Sequence, residues 1–267
     1  MGSRSPGRPS PSTYRQRRRG RARRRRTSDC GRSTRRPTPA SCSTTCRARG
    51  RGCCSSSPER YALITRDRML ETKPIKGTTP RGATPEEDEA MRQQLGTDAK
   101  FRSENLMIVD LLRNDVALVS EPGSVEVPAL MEVESYASVH QLASTVRGRL
   151  RPGVSSVAAL RALFPAGSMT GAPKLRTMEI IDAVEETPRG VYAGAFGSIS
   201  ADGRADLGVV IRSLTGDGSG RWWCGTGGGI TVRSEVAEEY AESRWKAERL
   251  RAAATGAYDA SRGRTHQ

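Results

Sequence analysis

Apolar and polar positions fall into regular blocks only from about Ser57 onward. The run YALITRD, Tyr61 to Asp67, has the aromatic and branched character of a short strand. Thr84-Pro85-Glu86-Glu87 predicts a helix start. Thr84 is the N-cap, Pro85 takes the first helical position, where its missing N–H is not needed, and Glu87 sits at the capping-box position. Gly96 is expected to interrupt this helix and Thr97 to restart it. Leu106, Ile108, Val109, Leu111 and Leu112 then mark the buried side of the second segment. VALV, SVEVPAL, MEVESY and VHQLASTV, between Val116 and Val146, read as strands. SSVAALRALF reads as a helix capped by Ser155 or Ser156, and PKLRTMEIIDAVEE as one opening on Pro173. GVYAGAFGSIS, ADLGVVIRSLT and RWWCGTGGG predict adjacent antiparallel strands, the first two joined by a turn at Asp202-Gly203. A last helix runs from about Ser234 to Ala254. Strands interleaved with long helices in this order predict an α+β fold, with layered antiparallel sheets and flanking helices.

Composition changes the picture at the N-terminus. Between Met1 and Ser57 stand 17 Arg, no Lys and the single acid Asp29; the net charge of +15 therefore lies entirely there, and the rest of the chain carries −1. This Arg-, Ser- and Thr-rich stretch has almost no apolar bulk to offset the entropy of ordering. Residues 1–55 are accordingly expected to be disordered, 56–254 to form the folded domain and 255–267 to be a disordered tail. The abruptness of the change points to a stretch read from another frame, with a genuine tail as the alternative. Five of the six Cys lie in it at no zinc spacing, and only Cys224 stands in the body, which suits a reducing, cytosolic compartment. No run of about 18 apolar residues exists, so no membrane span is expected. A polycation can bind nucleic acid through phosphates alone, but with Tyr14 as its only aromatic it offers little base stacking.

Four clusters carry candidate chemistry. Pro74-Ile75-Lys76-Gly77-Thr78 sets one Lys between a rigid and a flexible residue; partly buried, such a Lys becomes a nucleophile. Read alone, it is a surface loop. Glu104-Asn105-Leu106 through Asp115 mixes acids into an apolar helix, which alone is an amphipathic helix with an acidic rim. Phe164 to Lys174 is a small-residue loop entering a helix, suited to a carboxylate but without Walker spacing. Gly225-Thr226-Gly227-Gly228-Gly229 follows a strand without the spacing or following helix of a dinucleotide loop. Downstream, Glu239 and Glu242 share one helix face at i and i+3, where like charges repel unless a cation sits between them.

Jointly, and in this order, SPER, ETKPIKGT, ENLMIVDLLRND, TGAPKLRTMEIID and GTGGGI followed by EYAES resemble the chorismate-binding family of anthranilate, aminodeoxychorismate and isochorismate synthases. The resemblance covers roughly Ser57 to Leu250. Lys in PIKGT is the aminodeoxychorismate synthase form, where anthranilate synthases usually carry Ala. The resemblance thus implies amination of chorismate at C4 to 4-amino-4-deoxychorismate, on the route to 4-aminobenzoate and folate. It implies Lys76 as the covalent nucleophile, Glu59 as acid/base at the departing hydroxyl, and Glu104 and Glu242 as Mg²⁺ ligands with Glu239 as an outer acid. Thr170, Arg212 and the backbone of Gly227 and Gly228 would hold the carboxylates. Ammonia would come from a glutamine amidotransferase subunit.

Three departures stand out. Phe101 occupies a position that is usually acidic, which would weaken the outer shell of the metal. Gln141 stands where anthranilate synthases have His; His140, one residue away, would point to the opposite face of a strand. The long N-terminal half typical of the family is absent from this sequence. The alternatives are anthranilate synthase component I, an inactive remnant and an Arg-rich nucleic-acid-binding protein.

Overall fold

The computed structural model describes residues 42–48, 51–232, 234–255, 258–259 and 264–265. Its centre is a seven-stranded antiparallel sheet organised around one long strand, β7 (Val139–Arg149). One edge of β7 takes β6 (Glu126–Ser135). The other takes β4 (Met69–Lys73) and β5 (Ile75–Pro80) end to end, hinged at Pro74. Beyond β4 the sheet continues through β3 (Arg60–Ile64), β9 (Ala205–Val209) and β8 (Ala195–Ile199). β8 and β9 are joined through the Asp202-Gly203 turn, as the sequence predicts.

Helices α1 (Pro85–Thr97) and α2 (Ala99–Ala117) follow β5. Thr84 caps α1 as expected, its Oγ1 accepting from Glu87 N at 3.3 Å. The break between the helices is capped by Asp98 rather than Thr97: its carboxylate accepts from Phe101 N at 2.9 Å. α2 lays Ile108, Val109, Leu112 and Val116 against the sheet's Tyr61, Ala62, Leu70 and Val146, and α3 (Ser156–Leu163) adds Ala159, Leu160 and Leu163. Each buried Leu, Ile or Val among them stabilises the fold by about 1.5–3 kcal/mol. Leu106 is instead exposed, because it lies on the far side of the helix from this stripe. The run VALV is not a strand: Val116 and Ala117 close α2. SVEVPAL and MEVESY merge into the single strand β6.

A second, four-stranded sheet has the order β1 (Cys42–Ala48), β2 (Arg51–Ser57), β10 (Ser213–Gly216), β11 (Trp222–Cys224). The expected domain boundary at Ser55/Ser56 falls inside β2. β2 pairs with β10 from Gly52 to Ser55, and Ser55 is buried with its Oγ accepting from Ser213 Oγ at 2.8 Å. Ladder pairing does not need apolar side chains, so composition alone does not mark β2 as a strand. β10 and β11 also leave the β8–β9 sheet, where the sequence reading had placed them as neighbours. The remaining elements are the short turn α4 (Gly167–Thr170), α5 (Lys174–Val184), the long α6 (Val236–Thr255) and a two-residue pair, β12 (Tyr258–Asp259) with β13 (Arg264–Thr265). The Arg-rich run before Ser41 lies outside the described residues. Among the described residues no helix is long and apolar enough to cross a membrane.

Candidate active site

An open cleft of about 1400 Å³ is bounded by β5, the first turns of α2, the segment after β9, the glycine loop after β11 and the first half of α6. It brings together Glu59, Lys76, Glu104, Arg212, Gly227, Gly228, Glu239 and Glu242, which are far apart in sequence.

Lys76 enters the cleft because β5 is irregular. Ile75 faces Ala143 and Thr78 faces Gln141, so three steps on β5 match two on β7, and Lys76-Gly77 form the bulge. Gly77 has φ +89°, and a Cβ there would lie 2.9 Å from both Leu95 Cδ1 and Phe101 Cγ. Only glycine both adopts that conformation and lets the two helices close over the bulge. Phe101 is thus used as packing against the strand that carries Lys76. Lys76 Nζ lies 4.0 Å from Glu104 Oε2, and a Cβ on Gly229 would lie 3.5 Å from it.

Glu59 follows β2 through the Ser57-Pro58 turn. Its N–H donates to Ser57 Oγ at 3.3 Å, and its carbonyl accepts from Val209 N at 3.0 Å. Burial pushes its carboxyl up to about 7; Ser168, Lys76, Arg212 and Lys246 pull the other way without cancelling the cost of desolvation. Ser168 Oγ faces this carboxyl but is buried without a well-formed hydrogen bond. Arg212 has φ +48°, unusual for a residue with a Cβ, and its carbonyl accepts from both Ser56 N and Ser56 Oγ at 3.2 Å. β2 therefore fixes the backbone at both Glu59 and Arg212.

The glycine loop closes the other wall. Thr226 Oγ1 donates to Ser243 O at 2.8 Å, tying the loop to α6. A Cβ on Gly225 would come within 2.3 Å of the Tyr192 ring, and one on Gly228 within 2.7 Å of Glu239 Oε2, so these glycines are close-approach positions. Tyr192 and Ser168 line the cleft; Ser168 lies within the loop from Phe164 to Lys174, while nothing in the spacing of Tyr192 marks it. Lys246 also lines it, and its i+4 spacing from Glu242 was a legible signal that went unused.

Thr170 is not brought in with the others. It ends α4, and its hydroxyl turns back to Ala166 O and Gly167 O at 3.4 and 3.3 Å, while its neighbours Ser168 and Met169 line the cleft. The TGAPK segment is held from below: Lys174 Nζ donates to Asp115 Oδ2 at 2.6 Å and to Leu163 O at 2.9 Å. His140 is fully buried away from the cleft, between Ser135 Oγ at 2.7 Å and Asp88 Oδ1 at 3.0 Å.

The donor set has the chemistry magnesium prefers: three carboxylates on two facing helices, with no soft ligand. Burial raises the pKa of Glu104; Lys76 and Lys100 lower it, and Glu239 and Glu242 raise it further as like charges. A cation already stands there, because Lys100 Nζ lies 3.1 Å from Glu239 Oε1. As they stand, no three acidic, His or Cys groups among the described residues converge on one metal position. The carboxylates suit a divalent ion in kind and sign, with a side-chain adjustment still to make.

The profile of the chorismate binding enzyme family matches residues 21–252. The chain is 55% identical over 193 residues to aminodeoxychorismate synthase of Streptomyces griseus, covering 72% of this chain and 27% of that one. It is 48% identical to aminodeoxychorismate synthase component 1 of Klebsiella aerogenes, covering 73% of this chain and 43% of that one. The fold superposes on anthranilate synthase component I of Streptococcus pneumoniae with a TM-score of 0.70 at 37% identity, over 79% of this chain and 46% of that one. The chain thus spans less than half the length of these relatives. With the family profile covering most of the chain and the cleft built from its motif segments, this protein belongs to the chorismate-binding enzyme family.

Proposed function

We propose that the cleft supports amination of chorismate at C4, giving 4-amino-4-deoxychorismate, with Lys76 as the covalent nucleophile. The observation that carries this reading is the amine of Lys76, presented by a strand bulge into a cleft that also holds a buried, protonatable carboxyl, Glu59. The Lys76 nitrogen attacks C2, the two ring double bonds shift, and the C4–O bond breaks. Glu59, protonated near neutral pH, gives its proton to the departing hydroxyl, which leaves as water. Ammonia then forms the C4–N bond, the double bonds shift back and Lys76 is expelled as the free amine, so chorismate and ammonia yield product and one water. Arg212 suits a substrate carboxylate because its guanidinium is a planar, bidentate donor. The N–H groups of the glycine loop suit the other carboxylate.

Glu104, Glu239 and Glu242 would hold Mg²⁺, which when bound neutralises a substrate carboxylate. Ammonia would be supplied by a glutamine amidotransferase partner; similarity to relatives named component 1 supports a divided enzyme of this kind. The second reading, amination at C2 as in anthranilate synthase, is favoured by 46% identity to anthranilate synthase component 1 of Methanothermobacter thermautotrophicus. Lys76 argues against it. Incubation with chorismate, ammonium and magnesium, followed by chromatography and mass analysis, separates the two. 4-Amino-4-deoxychorismate supports the proposal, and anthranilate with pyruvate as direct products contradicts it.

A further inference from the structure

Each of the three facing carboxylates has a lysine beside it: Lys76 at 4.0 Å from Glu104, Lys100 at 3.1 Å from Glu239 and Lys246 at 2.7 Å from Glu242. The three are not equivalent. Lys76 is the proposed nucleophile. Lys246 stands one turn after Glu242 on the same helix, a pair that needs no tertiary structure, and it also reaches toward Gly227 O. Lys100 belongs to α2 and crosses to α6. Its ammonium shares Glu239 Oε1 with Ser234 Oγ, which lies 2.9 Å from that oxygen. Glu104 and Glu242 are both within electrostatic reach of the same ammonium. On its own helix the nearest acids are Asp98, which caps the helix through Phe101 N, and Glu104 one turn on, which acts on the ammonium without a hydrogen bond to it, so Glu239 on α6 is its hydrogen-bonded partner.

We infer that Lys100 is a built-in competitor for the divalent cation, its ammonium holding Glu239 in the metal-free protein and withdrawing when the metal enters. The inference rests on the metal reading of the three carboxylates given above. Its physical basis is cation exchange at one site. Three carboxylates facing one another repel, and a cation among them relieves that repulsion. A divalent ion does so more strongly than one ammonium and prefers the same oxygen donors. The Lys100 side chain is 35% exposed, so its ammonium has water to withdraw into, and an ion pair open to solvent on one side costs little to break. Lys100 would then balance the charge of the facing carboxylates while weakening magnesium binding.

Calorimetric titration of magnesium chloride into the full chain tests this, using wild type, Lys100→Gln and Lys100→Arg. Removing the ammonium should tighten magnesium binding by about two- to five-fold, the range expected for losing one partly exposed competing ion pair. The same variant should melt lower than wild type in chelator and regain more on adding magnesium. Lys100→Arg, which grips a carboxylate with a fork, should bind magnesium no more tightly than wild type. Equal or weaker binding by Lys100→Gln, or tighter binding by Lys100→Arg, would overturn the role of Lys100 while leaving the metal site standing. No magnesium binding by any of the three proteins would overturn the metal reading itself and this inference with it.

Discussion

Glu59 joins the proposed chemistry to stability. Its pKa rises from 4.5 to about 7 through burial, so the folded state favours the protonated form. The sign follows directly: the stabilising contribution of the neutral carboxyl is complete below pH 4.5 and is lost as pH rises through 7. Glu59→Gln removes that loss. The variant should match wild type in urea unfolding at pH 4 and be more stable at pH 8, by an amount on the order of 3 kcal/mol. Its amination rate should fall, while the wild-type rate should decline above pH 7 as the proton donor ionises. Equal stability of the two proteins at pH 8 would contradict the buried carboxyl. Lys174 makes the complementary case. It pairs with the buried Asp115 and binds Leu163 O, so Lys174→Met strands a carboxylate and should cost about 3 kcal/mol in denaturant unfolding. At this scale the sequence was most legible where chemistry is written in contiguous letters, as in PIKGT and GTGGG. It was silent on Tyr192 and Lys100 and named Ser168 only as part of the loop from Phe164 to Lys174, because their places in the cleft come from elements meeting in space. It did not show that Thr170 turns its hydroxyl back onto α4 while Ser168 and Met169 line the cleft.

Among the elements, the Thr84 cap and the buried positions Ile108, Val109 and Leu112 could be read directly, since both follow from local geometry, whereas the Asp98 cap and the helical Val116 could not. The bulge at Lys76-Gly77 could not, because register depends on what β7 offers opposite. Nor could β2, whose Gly, Cys and Ser residues carry no strand-like apolar pattern yet pair along β10. The consequence is testable. Deleting residues 1–57 removes the ladder with β10 and the two hydrogen bonds from Ser56 to the Arg212 carbonyl. The melting temperature should drop by several degrees, as expected for a loss of about 1–2 kcal/mol or more. The dissociation constant for chorismate should rise as Arg212 loses its backbone support. An unchanged melting temperature would mean that β1 and β2 add nothing to the stability of the fold.

Across the whole molecule, the positive excess is confined to the N-terminal fifth, and the near-neutral remainder carries most of the fold and all of the residues that line the cleft. α5 has no buried residue, and Leu175, Met178, Ile180 and Val184 all lie on exposed surface. Helical period alone could not reveal this, since it predicts a face and not what covers it. The architecture otherwise follows the predicted α+β layering, and the cleft lies where its two sheets and the helices α2 and α6 meet. The central claim is that this cleft captures chorismate through Lys76, and the most direct measurement is intact-protein and peptide mass analysis after incubation with chorismate and magnesium without ammonia. The account predicts an adduct equal to chorismate less one water, located on the peptide containing Lys76, absent in Lys76→Ala and discharged by adding ammonium. Unmodified Lys76 in a protein that still aminates chorismate at C4 when ammonium is supplied would contradict it.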